Sequence, residues 1–289
     1  MLRNTSPARA GLFIFWLLVA PLAAWSQGDA KRGEYLVKAG GCIGCHTEAR
    51  EGATPFAGGR ALKTPFGTFY GPNITPHPDA GIGRWSQADF VRAMREGRRP
   101  DGANYYPAFP YPSFTRITDA DLRDIWAYLR TLAPSAQPSR PHQLGLLYRS
   151  RASLGLWKRL FFSPGAFTPD PQKDVRVNRG AYLVQALGHC GECHTPRNAL
   201  GGPKQERFLA GGKMPDGATA SNLTPARLKD LSDNELRDVL TSGILPDGDV
   251  LAEAMGEVVR NTTSQLTPAD LDALIAYLRS LPPLPSEPK

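Results

Sequence analysis

Gly40-Gly41-Cys42-Ile43-Gly44-Cys45-His46-Thr47 and Gly188-His189-Cys190-Gly191-Glu192-Cys193-His194-Thr195 are the two stretches on which the reading of this 289-residue sequence turns. They hold all four cysteines of the chain and three of its five histidines. Each contains C-x-x-C-H, the attachment signature of c-type haem. The order is what the chemistry needs: two thiols add to the haem vinyl groups, and the imidazole that follows sits under the iron as proximal ligand. A thioredoxin-like redox pair does not require the trailing histidine. A zinc site would need both motifs to converge on one tetrahedral centre. Cys42, Cys45, Cys190 and Cys193 are therefore expected to hold two haems covalently, with His46 and His194 as axial ligands.

The sequence around the motifs repeats. Arg32-Gly33-Glu34-Tyr35-Leu36-Val37 precedes the first motif as Arg179-Gly180-Ala181-Tyr182-Leu183-Val184 precedes the second. After each motif come a glycine-rich turn, Ala57-Gly58-Gly59-Arg60 and Ala210-Gly211-Gly212-Lys213, and then Asn73-Ile74-Thr75-Pro76 and Asn222-Leu223-Thr224-Pro225. The N-x-T triplets match a glycosylation sequon, but here they are expected to make turns. Ser86-Gln87-Ala88-Asp89 and Ser232-Asp233-Asn234-Glu235 resemble capping boxes, and the helices they open end at Gly97 and Gly243. Closing helices start at Thr118 and Thr267; their apolar residues, Leu122, Ile125, Trp126, Leu129 and Leu271, Leu274, Ile275, Leu278, form one stripe each. No stretch reads as a sustained strand. The expected fold is all-α, two tandem helical domains each completed by its haem.

A haem used for electron transfer commonly takes methionine sulfur as sixth ligand. In the second copy Pro246-Asp247-Gly248 is followed by Met255; in the first, Pro100-Asp101-Gly102 is followed at the same offset by Phe109. Met255 is the expected sixth ligand of the second haem. The loop Asn104 to Arg116, rich in aromatics and proline, should deliver the first and offers Phe109 instead. Met94 aligns with Leu240 on a helix's apolar face, and His77 lies in a loop that has no histidine in the second copy. These two, then Tyr105, Tyr106 and Lys63, stand as candidates beside an iron with no protein sixth ligand.

Residues 1–26 place Arg3 and Arg9 ahead of an apolar run from Gly11 to Ala24 and a small-x-small site at Ala24-Trp25-Ser26. This is the pattern of an export signal, and an uncleaved anchor is the alternative. Localisation in the periplasm follows as an expectation. The net charge of +7 is dispersed along the chain, which argues against nucleic acid and allows an acidic protein partner. The expected division is 1–26 signal, 27–134 first domain, 135–174 linker and 175–289 second domain. Within the linker, Leu144 to Phe162 is too apolar for a free tether and is expected to form a helix across the domain interface. Arg149, Arg151, Lys158 and Arg159 among those apolar residues leave peripheral membrane association as the alternative.

Residues 29–285 resemble the diheme portion of the cytochrome c subunits of membrane-associated bacterial dehydrogenases of the alcohol and gluconate type. The likeness is carried by GHCGECHTPRN (188–198), WKRLFFSPG (157–165), YPAFPYPSF (106–114) and ITDADLRDIWAYLRTL (117–132). It implies two tandem cytochrome c domains, two covalently bound haem c groups, and the two-haem form without the third haem domain that many such subunits carry. It also implies a dehydrogenase as electron donor and another cytochrome, an oxidase or quinone as acceptor. Members of that group carry methionine at the position of Phe109 or of Ile117, and this sequence has neither. The other functional reading is a haem enzyme with an open first haem acting on peroxide or a small anion and the second haem as relay.

Overall fold

A computed structural model describes Met1 and residues 28–214, 217–251 and 253–286. The expected export signal, residues 1–26, lies outside the described residues apart from Met1. The first copy runs through α1 (Ala30–Ala39), α2 (Cys42–His46), a hairpin of β1 (Ala61–Thr64) and β2 (Gly67–Tyr70), α3 (Gln87–Glu96), α4 (Tyr111–Phe114) and α5 (Asp119–Leu129). The linker adds β3 (Gln143–Leu144), a 3-10 turn at Leu146–Tyr148, and α6 (Ala152–Phe161). In the second copy α7 (Val175–Tyr182) continues through a π-helical turn, Leu183–Leu187, to α8 (Gly191–His194). The hairpin β4 (Gly212–Lys213) and β5 (Thr219–Ala220) follows, then α9 (Pro225–Leu228), α10 (Asp233–Ser242), α11 (Glu253–Asn261), a 3-10 turn at Thr263–Gln265, and α12 (Pro268–Ser280).

The caps read from the sequence form. Ser86 and Asp89 bond reciprocally, as do Ser232 and Glu235, so α3 and α10 begin where their first amides are satisfied. Both helices stop at a left-handed glycine, Gly97 at φ 57° and Gly243 at φ 77°. The repeated R-G-x-Y-L-V stretch has a separate physical reason at each position. A Cβ on Gly33 would stand 1.9 Å from the Asp124 carbonyl oxygen, and one on Gly180 would stand 1.9 Å from that of Ala273. The glycine is therefore what lets α1 cross α5, and α7 cross α12, backbone against backbone. The arginine pairs within its own copy: Arg32 holds Asp121 at 2.6 Å and Asp124 at 2.5 Å, and Arg179 grips Asp270 through two bonds of 2.8 and 2.7 Å. Leu36, Val37, Leu183 and Val184 enter the core.

The tyrosine crosses to the other copy. Tyr35 donates to Asp270 at 2.6 Å, and Tyr182 donates to Asp121 at 2.5 Å. Each hydroxyl also accepts the backbone N–H of the cap threonine of the same closing helix, Thr267 at 3.3 Å and Thr118 at 3.2 Å. Two copies of one unit thus face each other about a pseudo-two-fold axis, each supplying a tyrosine to the buried aspartate of the other's Arg–Asp pair. One continuous apolar core includes residues of both, among them Leu36, Ile117, Leu122, Leu187 and Leu274.

No sustained strand forms among the described residues, and one expectation, the extent of the linker helix, is corrected. Short strands are present: β1 and β2 pair in register Ala61↔Tyr70, and β3 adds Gly67↔Leu144. These four- and two-residue segments are too short for a period-two pattern to show, and the fold remains mostly helical. The linker helix spans Ala152–Phe161 rather than Leu144 to Phe162, because Leu144 is spent as a strand partner of β2 and packs with Phe69, Tyr106 and Leu154 in a small second core. The helix does bridge the copies. Lys158 donates to the Glu96 carbonyl and, at 3.0 Å, to Asn104 Oδ1 in the first. Trp157 Nε1 donates to the Leu200 carbonyl at 3.1 Å in the second.

Burial raises the Asp270 carboxyl, but the bonds from Arg179 and Tyr35 outweigh it and hold the group below the ordinary carboxylate range. Its contribution to stability is therefore present above a pH of about 4 and lost as pH falls through the lower, folded-state value. Replacing Tyr35 or Tyr182 by Phe removes a hydrogen bond to a charged, buried group and should cost about 1.5–3 kcal/mol. Chemical denaturation of each variant at neutral pH measures this, and an unchanged midpoint for both would show that the crossed bonds contribute nothing.

Candidate haem centres

Each C-x-x-C-H stretch forms a single helical turn, α2 and α8, so that its two sulfurs and its imidazole emerge on one side of the chain. All four thiols are free of disulfides and half-buried. Burial pushes Cys42 and Cys190 up to about 12, so both are protonated at neutral pH. His46 Nδ1–H donates to the Pro72 carbonyl at 2.8 Å, and His194 Nδ1–H donates to the Ser221 carbonyl at 2.6 Å. Burial lowers the pKa of both imidazoles, which keeps them neutral. With the proton fixed on Nδ1, the Nε2 lone pair is free for a metal. Among the described residues no three His, Cys, Asp or Glu side chains converge as a metal cluster, so the two motifs do not meet on one tetrahedral centre. The donor set, two thiols and one oriented imidazole per turn, fits haem c.

The carbonyls of Pro72 and Ser221 have no side-chain signature in the sequence, and the repeated N-x-T-P beside them is the signal that points there. Asn73 and Asn222 are buried, at 2% and 4% exposure, which rules them out as open acceptor sites for a glycan. Asn73 Oδ1 accepts from the Thr75 N–H at 2.9 Å and hydroxyl at 2.7 Å, and Asn222 Oδ1 accepts from the Thr224 N–H at 2.7 Å. Their amides reach the carbonyls of Ser135 and Gln137 in one copy and of Leu284 in the other. The turn thus fastens the carbonyl that orients each histidine to the chain leaving the closing helix. Gly71 permits it: a Cβ there would lie 1.7 Å from the Cys45 carbonyl oxygen.

The segments that follow α3 and α10 keep one register. The Arg99 N–H bonds to the Ala103 carbonyl as that of Leu245 bonds to Asp249, and the Tyr105 N–H bonds to Gly97 as that of Leu251 bonds to Gly243. The bridge Arg98↔Asn104 matches Ile244↔Val250. Every pair differs by 146, so the equivalence of Phe109 and Met255 is anchored only four residues away. Met255 lies half-buried in the first turn of α11. Phe109 packs among Tyr105, Tyr111 and Phe114, with ring centroids 5.3, 6.4 and 5.7 Å away.

Of the other candidates, Met94, His77 and Tyr106 have evident work elsewhere, and Tyr105 packs edge-on against Phe109. Met94 is 7% exposed in the core on α3, at the position where Leu240 serves in the second copy. His77 Nδ1 accepts the N–H groups of Asp79 and Ala80 at 3.2 and 3.1 Å, closing a turn in the chain segment that begins at Pro72, on the Nδ1 side of His46. The Tyr106 hydroxyl donates to the linker carbonyls of Tyr148 and Arg149, at 3.0 Å each, and Lys63 is exposed on β1.

The crossed arrangement extends to the motifs. Glu192, inside the second motif, accepts from Ser113 of α4 at 2.7 Å and is held by Arg197 at 2.6 Å. Gly44, inside the first, faces Asn261 of α11, while Arg60 and Glu257 join the copies through bonds of 2.7 and 2.8 Å. Each attachment turn lies against the other copy's helix that follows Phe109 or contains Met255.

The family described as Cytochrome c matches this chain twice, over residues 30–133 and 177–282. The chain belongs to the cytochrome c family. It is 44% identical over 270 residues to the diheme cytochrome c-type of Cereibacter sphaeroides, covering 90% of this cytochrome and 88% of that protein. It is 41% identical to the alcohol dehydrogenase (quinone) cytochrome c subunit of Gluconacetobacter polyoxogenes, with 88% of this chain matched to 56% of that one. It is also 41% identical to the fructose dehydrogenase cytochrome subunit of Gluconobacter japonicus, with 90% of this chain matched to 54% of that one. The cytochrome therefore spans most of the diheme relative and about half the length of these two dehydrogenase subunits. Its cofactors are two covalently bound haem c groups in two tandem cytochrome c domains.

Proposed function

We propose that this cytochrome is an exported electron relay, taking single electrons from a dehydrogenase and passing them to another cytochrome, an oxidase or quinone. The observation that carries the reading is the crossed interface, which holds two attachment turns against each other's domains. Cys42 and Cys45 attach one haem and Cys190 and Cys193 the other, with His46, His194 and Met255 as axial ligands. When bound, each haem supplies a reversible one-electron iron couple. The chain orients each imidazole through Pro72 or Ser221, excludes water with the shared core, and fixes the spacing of the two centres through Tyr35–Asp270 and Tyr182–Asp121. The relatives named for alcohol and fructose dehydrogenases support a dehydrogenase as donor. An enzyme acting on peroxide or a small anion is not favoured, because Phe109 stands among rings and the nearby Arg98 and Arg99 are paired at the surface with Glu96 and Asp101.

The linker supports docking. Between Ser135 and Pro169 it carries Arg140, Arg149, Arg151, Lys158 and Arg159, and its first acidic residue is Asp170. Leu146, Leu147, Leu156 and Leu160 are largely exposed on it. Arg151 and Lys158 are turned inward and Arg140 pairs with Glu48, so the exposed leucines with Arg149 and Arg159 are what an acidic partner with an apolar centre, or an anionic membrane surface, would meet. Placement in the periplasm rests on the sequence of residues 1–26.

Met255→Ala should remove the methionine-to-iron absorption of the oxidised holoprotein and lower one of its two potentials. An unchanged spectrum would make Met255 a core residue. Reduction by an acidic donor dehydrogenase should slow as salt rises, because exposed charges are screened over about 8 Å at physiological ionic strength. A flat response would leave the basic linker without a part in docking.

A further inference from the structure

The two copies are equivalent in almost every feature that builds the haem centres and differ at the sixth ligand. Both have the attachment turn, the carbonyl that orients the histidine, the N-x-T turn behind it, and the 146-residue register after α3 and α10. The register then brings Met255 and Phe109 to the same position. A phenyl ring has no lone pair to give to iron. Beyond this point the copies diverge in shape as well. The second continues as the nine-residue α11, whereas Pro107 and Pro110 keep the first out of helix until the four-residue α4 begins at Tyr111.

Of the other candidates in the first copy, Tyr105 stands edge-on against the Phe109 ring, and the rest are placed as follows. Ile117, the residue before the cap Thr118, is 1% exposed in the core and carries no donor atom. Met94 fills a core position whose counterpart in the second copy is the partly buried Leu240, a residue with no donor atom. His77 spends Nδ1 on its own turn, in the segment that begins at the Pro72 carbonyl on the Nδ1 side of His46. Tyr106 spends its hydroxyl on the linker.

We infer that the first haem of this cytochrome has no protein sixth ligand and that the Phe109 loop makes a binding site there for a small neutral diatomic ligand such as carbon monoxide or nitric oxide. The inference rests on the haem assignments proposed above. The chemical class follows from the surroundings. Phe109 lies among the rings of Tyr105, Tyr111 and Phe114, which favour a neutral, weakly hydrated guest. The arginines that would draw an anion, Arg98 and Arg99, are half-exposed and paired with Glu96 and Asp101. Arg151 is turned over the Tyr106 ring at 4.2 Å and donates to the Asn104 carbonyl at 2.6 Å.

The test uses the dithionite-reduced holoprotein. Haem content is measured first, by intact mass and by the alkaline pyridine spectrum; fewer than two haems per chain would mean that the attachment assignments fail, whatever happens to the loop. With both haems present, titration with carbon monoxide should saturate at about one per chain. Phe109→Met should abolish that binding and double the methionine-to-iron absorption of the oxidised protein, Met94→Leu should change neither, and Met255→Ala should raise binding to about two. No binding to the wild type would overturn the inference and make another side chain, Met94 first, the missing ligand. Binding at both haems of the wild type would overturn the asymmetry, and binding that stays at one per chain in Met255→Ala would place the open site in the second copy.

Discussion

Two hydrogen bonds that cross between the copies organise the molecule. Tyr35 reaches Asp270 and Tyr182 reaches Asp121, and each aspartate is already neutralised by an arginine of its own domain. A buried carboxylate is costly unless it is paired and fully bonded. The arrangement makes each domain's charge pair incomplete without the other domain's tyrosine. Because the same hydroxyls accept the cap amides at Thr267 and Thr118, the bond also fixes where each closing helix begins. The closing helix packs on the helix that leads into the attachment turn, through Gly33 and Gly180, so the interface and the haem centres share one rigid path.

On the proposed assignment, symmetry of scaffold and asymmetry of ligand serve different ends. The scaffold repeats what holding a haem requires: two thiols, a neutral imidazole, and a carbonyl to aim it. The loop after α3 departs from the repeat. A methionine-ligated haem has a closed coordination shell, and one without that ligand is open to guests and differs in potential. Two centres of unequal potential at fixed separation give a relay a direction, which two identical centres would not.

The attachment turns, the caps at Ser86, Ser232, Thr118 and Thr267, and the Phe109–Met255 correspondence are all legible in the sequence, because each rests on local spacing. The repeated R-G-x-Y-L-V is visible as a repeat, but its tyrosine is not visible as a cross-domain donor. Nothing local says which copy's aspartate it meets. The β-hairpins escape a sequence reading because strands of two to four residues leave no period, and Leu144 is kept out of the linker helix by pairing with Gly67, a contact between distant segments. The carbonyls of Pro72 and Ser221 carry no side-chain signature at all. Their role becomes apparent only once His46 and His194 are placed beside them.

If the crossed bonds make the two haem domains one body, electrons pass between them at a fixed distance. Flash reduction of the holoprotein, followed by the spectral difference between its two haems, measures that step directly. The fixed pairing predicts a single intramolecular phase whose rate is independent of protein concentration, of salt, and of viscosity raised with glycerol. A rate that falls in proportion to viscosity would show that the domains must reorient before transfer, and would contradict the fixed pairing through Tyr35 and Tyr182.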